Sequence, residues 1–152
     1  MRYLVLDTCA IIHIIRGKAT GKRLQEWMNG LDSQPIQIIS SVTKAELLTF
    51  ALMAGWETKK YSFLNRFLDG VTYIDINHSD TQLIENYTII DAYSKNKATD
   101  VNGNFKGGSH IIMGKNDIWI AATAKTLKTT LLTSDGDFDH LHPSVLNVKK
   151  IV

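Results

Sequence analysis

Cysteine is nearly absent from this chain. Cys9 is the only one, which excludes a disulfide within the chain and any multi-cysteine zinc site, and makes a reducing, cytoplasmic setting the expectation. Neither sign of charge dominates. Seventeen Lys and Arg face fifteen Asp and Glu, a formal net charge of +2, too little to recruit nucleic acid or a membrane surface by bulk attraction. No apolar run approaches the roughly 20 residues needed to span a bilayer. The opening Met1–Asp7 reaches an acid after only a few apolar residues, too soon for the core of a secretory leader. What is abundant is ordinary apolar material: 44% of 152 residues, enough for one sizeable core and one domain over 1–152.

Short apolar, β-rich runs recur along the chain. Tyr3–Leu6, Ile36–Ile39 after Pro35, Val71–Ile76 after Gly70 and Thr130–Thr133 read as strands, with Val145–Val148 as a candidate edge strand. They lack the polar alternation of half-exposed strands, as expected of a parallel sheet covered on both faces. Helical spacing lies between them: Ile11–Ile15, Leu24–Leu31, Ala45–Ala54, Tyr61–Leu68, Leu83–Tyr93 and Ile118–Leu127. Strands alternating with helices predict βαβ units. Ala98–Gly114, with four glycines and several Asn and Asp, is predicted to be a long surface loop.

In such folds ligands gather at the carboxyl ends of the strands. Acids collect there. Asp7 closes the first strand, Glu46 falls in the first turn of the helix after the second, Asp117 opens the helix after the glycine loop, and Asp135 follows the fourth strand with Asp137 and Asp139 behind it. Each has an ordinary structural reading. Thr43-Lys44-Ala45-Glu46 matches a capping box, Asp117 complements a helix dipole, and Ser134–Asp137 is common turn chemistry. Together they say more. Carboxylates crowded on one rim raise one another's pKa values unless a cation compensates. Hard divalent ions with a preference for oxygen, Mg²⁺ or Mn²⁺, meet that need and suit phosphodiester hydrolysis.

Other acidic sites fail on residue identity. A calcium loop from Asp135 requires glycine where His140 stands and glutamate where Leu146 stands. An aspartate-nucleophile phosphatase requires an acid at Cys9. A dinucleotide fold requires a glycine-rich turn where the chain has Thr8-Cys9-Ala10-Ile11. A phosphate-binding P-loop is missing as well.

Four segments, Leu6-Asp7-Thr8 with Ile11-Ile12, Ser41–Leu47, Asn116–Ala124 and Leu132–Phe138, resemble the PIN-domain ribonucleases, and among them the VapC-type toxins of bacterial toxin–antitoxin pairs. The resemblance spans nearly the whole chain in the family's order. It implies a three-layer α/β/α sandwich around a mostly parallel sheet, and endoribonuclease activity dependent on Mg²⁺ (or Mn²⁺). It also implies a small antitoxin that blocks the site, and a homodimer. Carried over by position, Asp7, Glu46, Asp117 and Asp135 form the catalytic and metal-holding quartet. Asp7 and Asp117 are the firmest direct ligands, while Glu46 and Asp135 bind through water or complete a second metal position. Asp137 competes for the last place, and Thr8, Thr133 and Asn116 orient carboxylates. The chain departs from the pattern in the Asn102–Ser109 stretch, where it is longer and richer in glycine.

Cys9 reads as a small buried residue, and His13, His140 and His142 as structural. Trp119 follows Asp117 by two positions, roughly 200° around a helix, so it is expected to point into packing. Arg16, Lys18, Lys106 and Lys115 are expected near the acidic rim, where phosphate contacts are needed. Two rivals share the fold: a PIN-like module that binds RNA or protein without cleaving, and a DNA flap nuclease.

Overall fold

A computed structural model describes residues 1–152. Five strands, β1 (Tyr3–Leu6), β2 (Ile36–Ser40), β3 (Thr72–Ile74), β4 (Thr130–Thr133) and β5 (Val148–Lys150), form one sheet in the order β3-β2-β1-β4-β5. Every neighbouring pair is parallel. Six α-helices, α1 (Thr8–Arg16), α2 (Ala19–Asn29), α3 (Ser41–Met53), α4 (Thr58–Gly70), α5 (Thr81–Ser94) and α6 (Lys115–Thr126), and one 3-10 turn at Asp139–Leu141 accompany the sheet. The expected edge strand exists but is displaced. Val145 and Leu146 are buried in the core instead, and pairing starts only at Val148.

The apolar runs are explained by burial on both sheet faces. Side chains alternate along a strand, so Leu4 and Leu6 of β1 enter one core with Ile39 and Leu132, while Val5 enters the other with Ile38 and Leu131. Helices α1–α4 cover the first face through Ile11, Leu24, Leu47 and Leu64. Helices α5 and α6 cover the second through Ile90, Ile118 and the alanines 121, 122 and 124. The result is the three-layer α/β/α sandwich.

Two glycines let α1 and α2 pack tightly. Gly17 ends α1 at φ +65°, its N–H reaching the carbonyls of His13 and Ile14. Gly21 sits where a β-carbon would stand 2.0 Å from the His13 carbonyl oxygen. Trp119 packs on Tyr87 of α5 with ring centroids 4.2 Å apart, as its angular offset from Asp117 requires.

Chain order sets the place for a site. After β1 the chain steps to β2 and β3 on one side, then crosses back to β4 and β5 on the other. The carboxyl ends of β1 and β4 therefore flank the point where the winding reverses, the place where open parallel sheets leave a crevice.

Candidate active site

The crevice is occupied by acids. Asp7 leaves β1 and precedes the first turn of α1; its N–H donates to the Leu132 carbonyl at 3.0 Å, which places it across from Thr133 at the end of β4. A cleft of about 560 Å³ opens there, lined by Asp7, Glu46, Asn116, Asp117 and Asp135 with an apolar side of Ile12, Phe50 and Met53. All four acids of the sequence-derived quartet face it. Asp137 does not line this cleft; it borders a neighbouring hollow with Gly136, Asp139 and His140. A cleft of about 480 Å³ beside the start of β4 holds Lys125 and Lys128 and no carboxylate.

Each acid is held differently. Asp7 is nearly fully buried, and its Oδ2 accepts from Cys9 Sγ at 2.7 Å and from Thr133 Oγ1 at 2.7 Å. Burial raises its pKa; the Cys9 and Thr133 hydrogen bonds oppose that rise, and the charge of Glu46 adds to it. Glu46 Oε1 accepts from Thr8 Oγ1 at 2.7 Å. Asp135 Oδ1 accepts from the Asp137 N–H at 3.1 Å, an Asx turn. Asp117, in the first turn of α6, is pushed up to about 7, first by burial and then by the charges of Asp7, Glu46, Asp137 and Asp135, with no hydrogen bond among the causes. Gly114 lies against it: a β-carbon there would stand 3.1 Å from Asp117 Oδ2.

Several expectations need correction. The capping box is not formed. Helix α3 starts at Ser41, so Thr43 is already inside it and Glu46 lies in its second turn, with Oε1 turned to Thr8 rather than to the helix terminus. Cys9 is more than a small buried residue. Its thiol is lifted to about 12, chiefly by burial and next by the charge of Asp7, so it stays protonated and donates to Asp7. No local motif announces that role, because the group that fixes the thiol comes from just past β4: Ser134 Oγ donates to Cys9 Sγ at 3.1 Å.

The basic residues divide. Arg16 ends α1 and Lys18 lies beyond it, so both sit roughly 13 Å or more along the helix axis from Asp7. Lys106 is folded back onto the carbonyls of Gly107 and Ser109. Lys115 is exposed in the first turn of α6, two positions before Asp117 in sequence. His140 bonds Ser94 at 2.7 Å and His142 accepts from the Val148 N–H, so both are structural.

No three of the carboxylate, imidazole and thiol groups converge into a ready ligand set. The donor chemistry nonetheless fits a hard divalent cation. Four carboxylates share one cleft, and one of them, half-buried, has its charged form disfavoured by the other three.

A parallel α/β/α sandwich with carboxylates gathered at its switch point defines an acidic-site enzyme fold. The PIN-domain family model matches residues 4–142, so the chain belongs to the PIN-domain family, a family with nuclease members. Its fold is similar to that of chains in solved structures. A chain of VapBC2 from Rickettsia felis bound to a promoter DNA fragment matches with a TM-score of 0.67 at 21% identity, over 97% of this chain and 98% of that one. VapBC-1 from nontypeable Haemophilus influenzae gives 0.67 at 22% identity over 97% of both chains. FitAcB from Neisseria gonorrhoeae gives 0.63 at 23% identity over 95% of both. No curated protein matches the chain in sequence.

Proposed function

We propose that this PIN domain is a divalent-metal-dependent endoribonuclease and the toxin of a toxin–antitoxin pair. One observation carries the catalytic part: Asp117 is lifted to about 7 by burial and by its carboxylate neighbours in a shared cleft. A helix-capping role for Asp117 alone leaves unexplained why Asp7, Glu46 and Asp135 line the same cleft.

Asp7, Glu46, Asp117 and Asp135 are the residues that hold the cation, Mg²⁺ or Mn²⁺. When bound, such an ion neutralises a phosphate and acidifies water. The rest is done by the chain. Thr8, Thr133 and Cys9 fix the carboxylates of Glu46 and Asp7 by hydrogen bonds. Asn116, on the cleft wall beside Asp117, is placed to hold a phosphate oxygen or a water. Lys115 supplies positive charge at the rim, so the RNA backbone meets a cation before it meets the acids. Ile12, Phe50 and Met53 give the other wall an apolar surface against which a ribose or base can lie. With water as nucleophile the products carry a 5′-phosphate and a 3′-hydroxyl.

The antitoxin part rests on α3. Leu48, Leu52 and Met53 are exposed, Leu52 at 75% and Met53 at 83%, and Met53 also lines the cleft. An apolar helix face continuous with an acidic cleft suits a small protein that covers both at once. The similar folds named above come from VapBC and FitAcB structures, in keeping with that reading. A homodimer belongs to the same proposal. No helix is long and apolar enough to cross a membrane.

The test is a panel of tRNA, rRNA, mRNA and flapped DNA incubated with the purified chain in Mg²⁺, in Mn²⁺ and in chelator. Internal cuts in RNA that need the metal and leave 5′-phosphates are expected. Binding of RNA with no cut under any condition would instead favour the binding-module reading, and preferential cutting of flapped DNA would favour the flap nuclease.

A further inference from the structure

Asp7 is the most buried acid of the cleft, and one of its oxygens takes two side-chain hydrogen bonds. Cys9 Sγ and Thr133 Oγ1 both reach Oδ2 at 2.7 Å. Both bonds run toward the carboxylate, which accepts, and each donor also accepts from a further contact. Thr133 Oγ1 accepts from the Asp135 N–H at 2.9 Å, which leaves its own proton for Asp7. Cys9 Sγ accepts from Ser134 Oγ at 3.1 Å and from the Ser134 N–H at 3.5 Å, which leaves the thiol proton for Asp7 as well. Two side-chain donors from different elements, α1 and β4, thus take the same oxygen and leave Oδ1 without a side-chain donor, on a residue that lines the cleft.

One hydroxyl donor leaves a carboxylate free to reorient, so the second donor on the same oxygen has a consequence of its own. Without the thiol the carboxyl keeps the Thr133 hydroxyl and the Thr8 backbone bond, and it can turn more freely about its last torsion, a broad and soft one, and exchange its two oxygens. With two donors fixed on Oδ2 by Ser134 and by the Asp135 N–H, that exchange breaks two bonds at once. The chain spends polar contacts from β4, more than 120 positions away in sequence, on the orientation of one side chain.

We infer that Cys9, itself set by Ser134, is a positioning residue for Asp7. The thiol selects which carboxylate oxygen a divalent cation meets, so the cation affinity of the cleft depends on a hydrogen-bond donor at position 9. This rests on the reading of the cleft as a cation site. Groups that orient a ligand without touching the ion typically contribute about 10- to 100-fold in affinity.

The test is Mn²⁺ titration, followed by electron paramagnetic resonance of the free ion, on the wild-type chain, Cys9→Ala, Cys9→Ser and Ser134→Ala, with melting of the metal-free proteins alongside. Cys9→Ala should bind Mn²⁺ about 10- to 100-fold more weakly, and Cys9→Ser, which restores a donor, should stay close to wild type. Ser134→Ala should lose affinity in the same direction but less. Metal-free melting should separate Cys9→Ala little from Cys9→Ser. Should Cys9→Ala fail to fold, the weakened binding of Ser134→Ala carries the test, and wild-type affinity in that variant overturns the inference. Equal affinity of Cys9→Ala and wild type overturns it too, as does equal weakening by Cys9→Ala and Cys9→Ser, which would assign the effect to sulfur packing. A wild-type chain that binds no Mn²⁺ removes the cation site itself, a distinct failure.

Discussion

The hydroxyl of Thr8 donates to Glu46 Oε1 at 2.7 Å across 38 positions of sequence. This contact ties the first turn of α1 to the second turn of α3, and decides that Glu46 faces the cleft rather than the N-terminus of its own helix. Thr8 also lies 3.4 Å from Thr43 Oγ1, so a buried hydroxyl pair supports the acid from below.

Replacing Thr8 by Val keeps the shape of the side chain and removes the donor. The lost bond should cost about 1 kcal/mol of stability, read by urea denaturation, and should lower RNA cleavage by more than the stability loss explains, because Glu46 is then free to turn away. Unchanged cleavage by Thr8→Val would show that the orientation of Glu46 is immaterial.

Gly114 offers a test on the opposite side of the cleft. Its backbone, at φ −59° and ψ 141°, suits any residue, so an effect of Gly114→Ala must come from the new methyl group. That group meets Asp117 Oδ2 at 3.1 Å, closer than comfortable contact. Stability should hold or rise slightly, while Mn²⁺ affinity and cleavage fall. A variant with full cation affinity would mean that Asp117 yields without consequence.

The electrostatics make a prediction about pH. Asp117 has its carboxyl raised from 3.8 to about 7 in the folded chain. Between those values the folded state holds the proton more tightly than the unfolded state does, so this group's contribution to stability is greatest at low pH and declines as pH rises toward 7. The metal-free chain and Asp117→Asn, unfolded in urea at about pH 5 and about pH 8, should differ in that slope, the variant losing less on going to high pH. Adding Mn²⁺ should restore wild-type stability at the higher pH. Identical slopes would show that Asp117 is not crowded.

Gly21 tests the fold rather than the site. A methyl group there would stand 2.0 Å from the His13 carbonyl oxygen and 2.6 Å from its carbon, both of them backbone atoms that cannot swing aside. Gly21→Ala should destabilise by at least about 1–3 kcal/mol, as overpacking does, measured by the urea midpoint. An unchanged midpoint would show that α1 and α2 part easily.

Much of this architecture could be read from residues alone. Tyr3–Leu6 and Thr130–Thr133 became strands with the expected limits, because a doubly buried parallel strand leaves an unbroken apolar run. Asp7, Glu46, Asp117 and Asp135 could be gathered on one cleft because strand-to-helix connections bring such positions to one edge. What stayed hidden was every contact that joins distant segments. Thr43 and Glu46 form a local capping pattern, and nothing nearby signals that Thr8 takes the acid instead. The role of Cys9 is illegible locally because the contacts that fix its thiol come from Thr133 and Ser134, at and just past the end of β4. Arg16 and Lys18 were placed at the rim by their nearness in sequence to Asp7, whereas α1 carries them to its other end. The choice of Asp135 over Asp137 for the cleft turned on an Asx turn that spacing alone does not orient.

The central claim is that the four carboxylates act together on RNA, and the most direct measurement is single-turnover cleavage in Mn²⁺ by the wild-type chain beside Asp7→Asn and Asp117→Asn. Both substitutions keep the shape and remove the charge. A loss of several kcal/mol of transition-state stabilisation corresponds to about a thousandfold or more in rate, and we expect at least that from each, with Mn²⁺ affinity falling in parallel and RNA binding largely kept. Cleavage by Asp117→Asn at the wild-type rate would contradict the account.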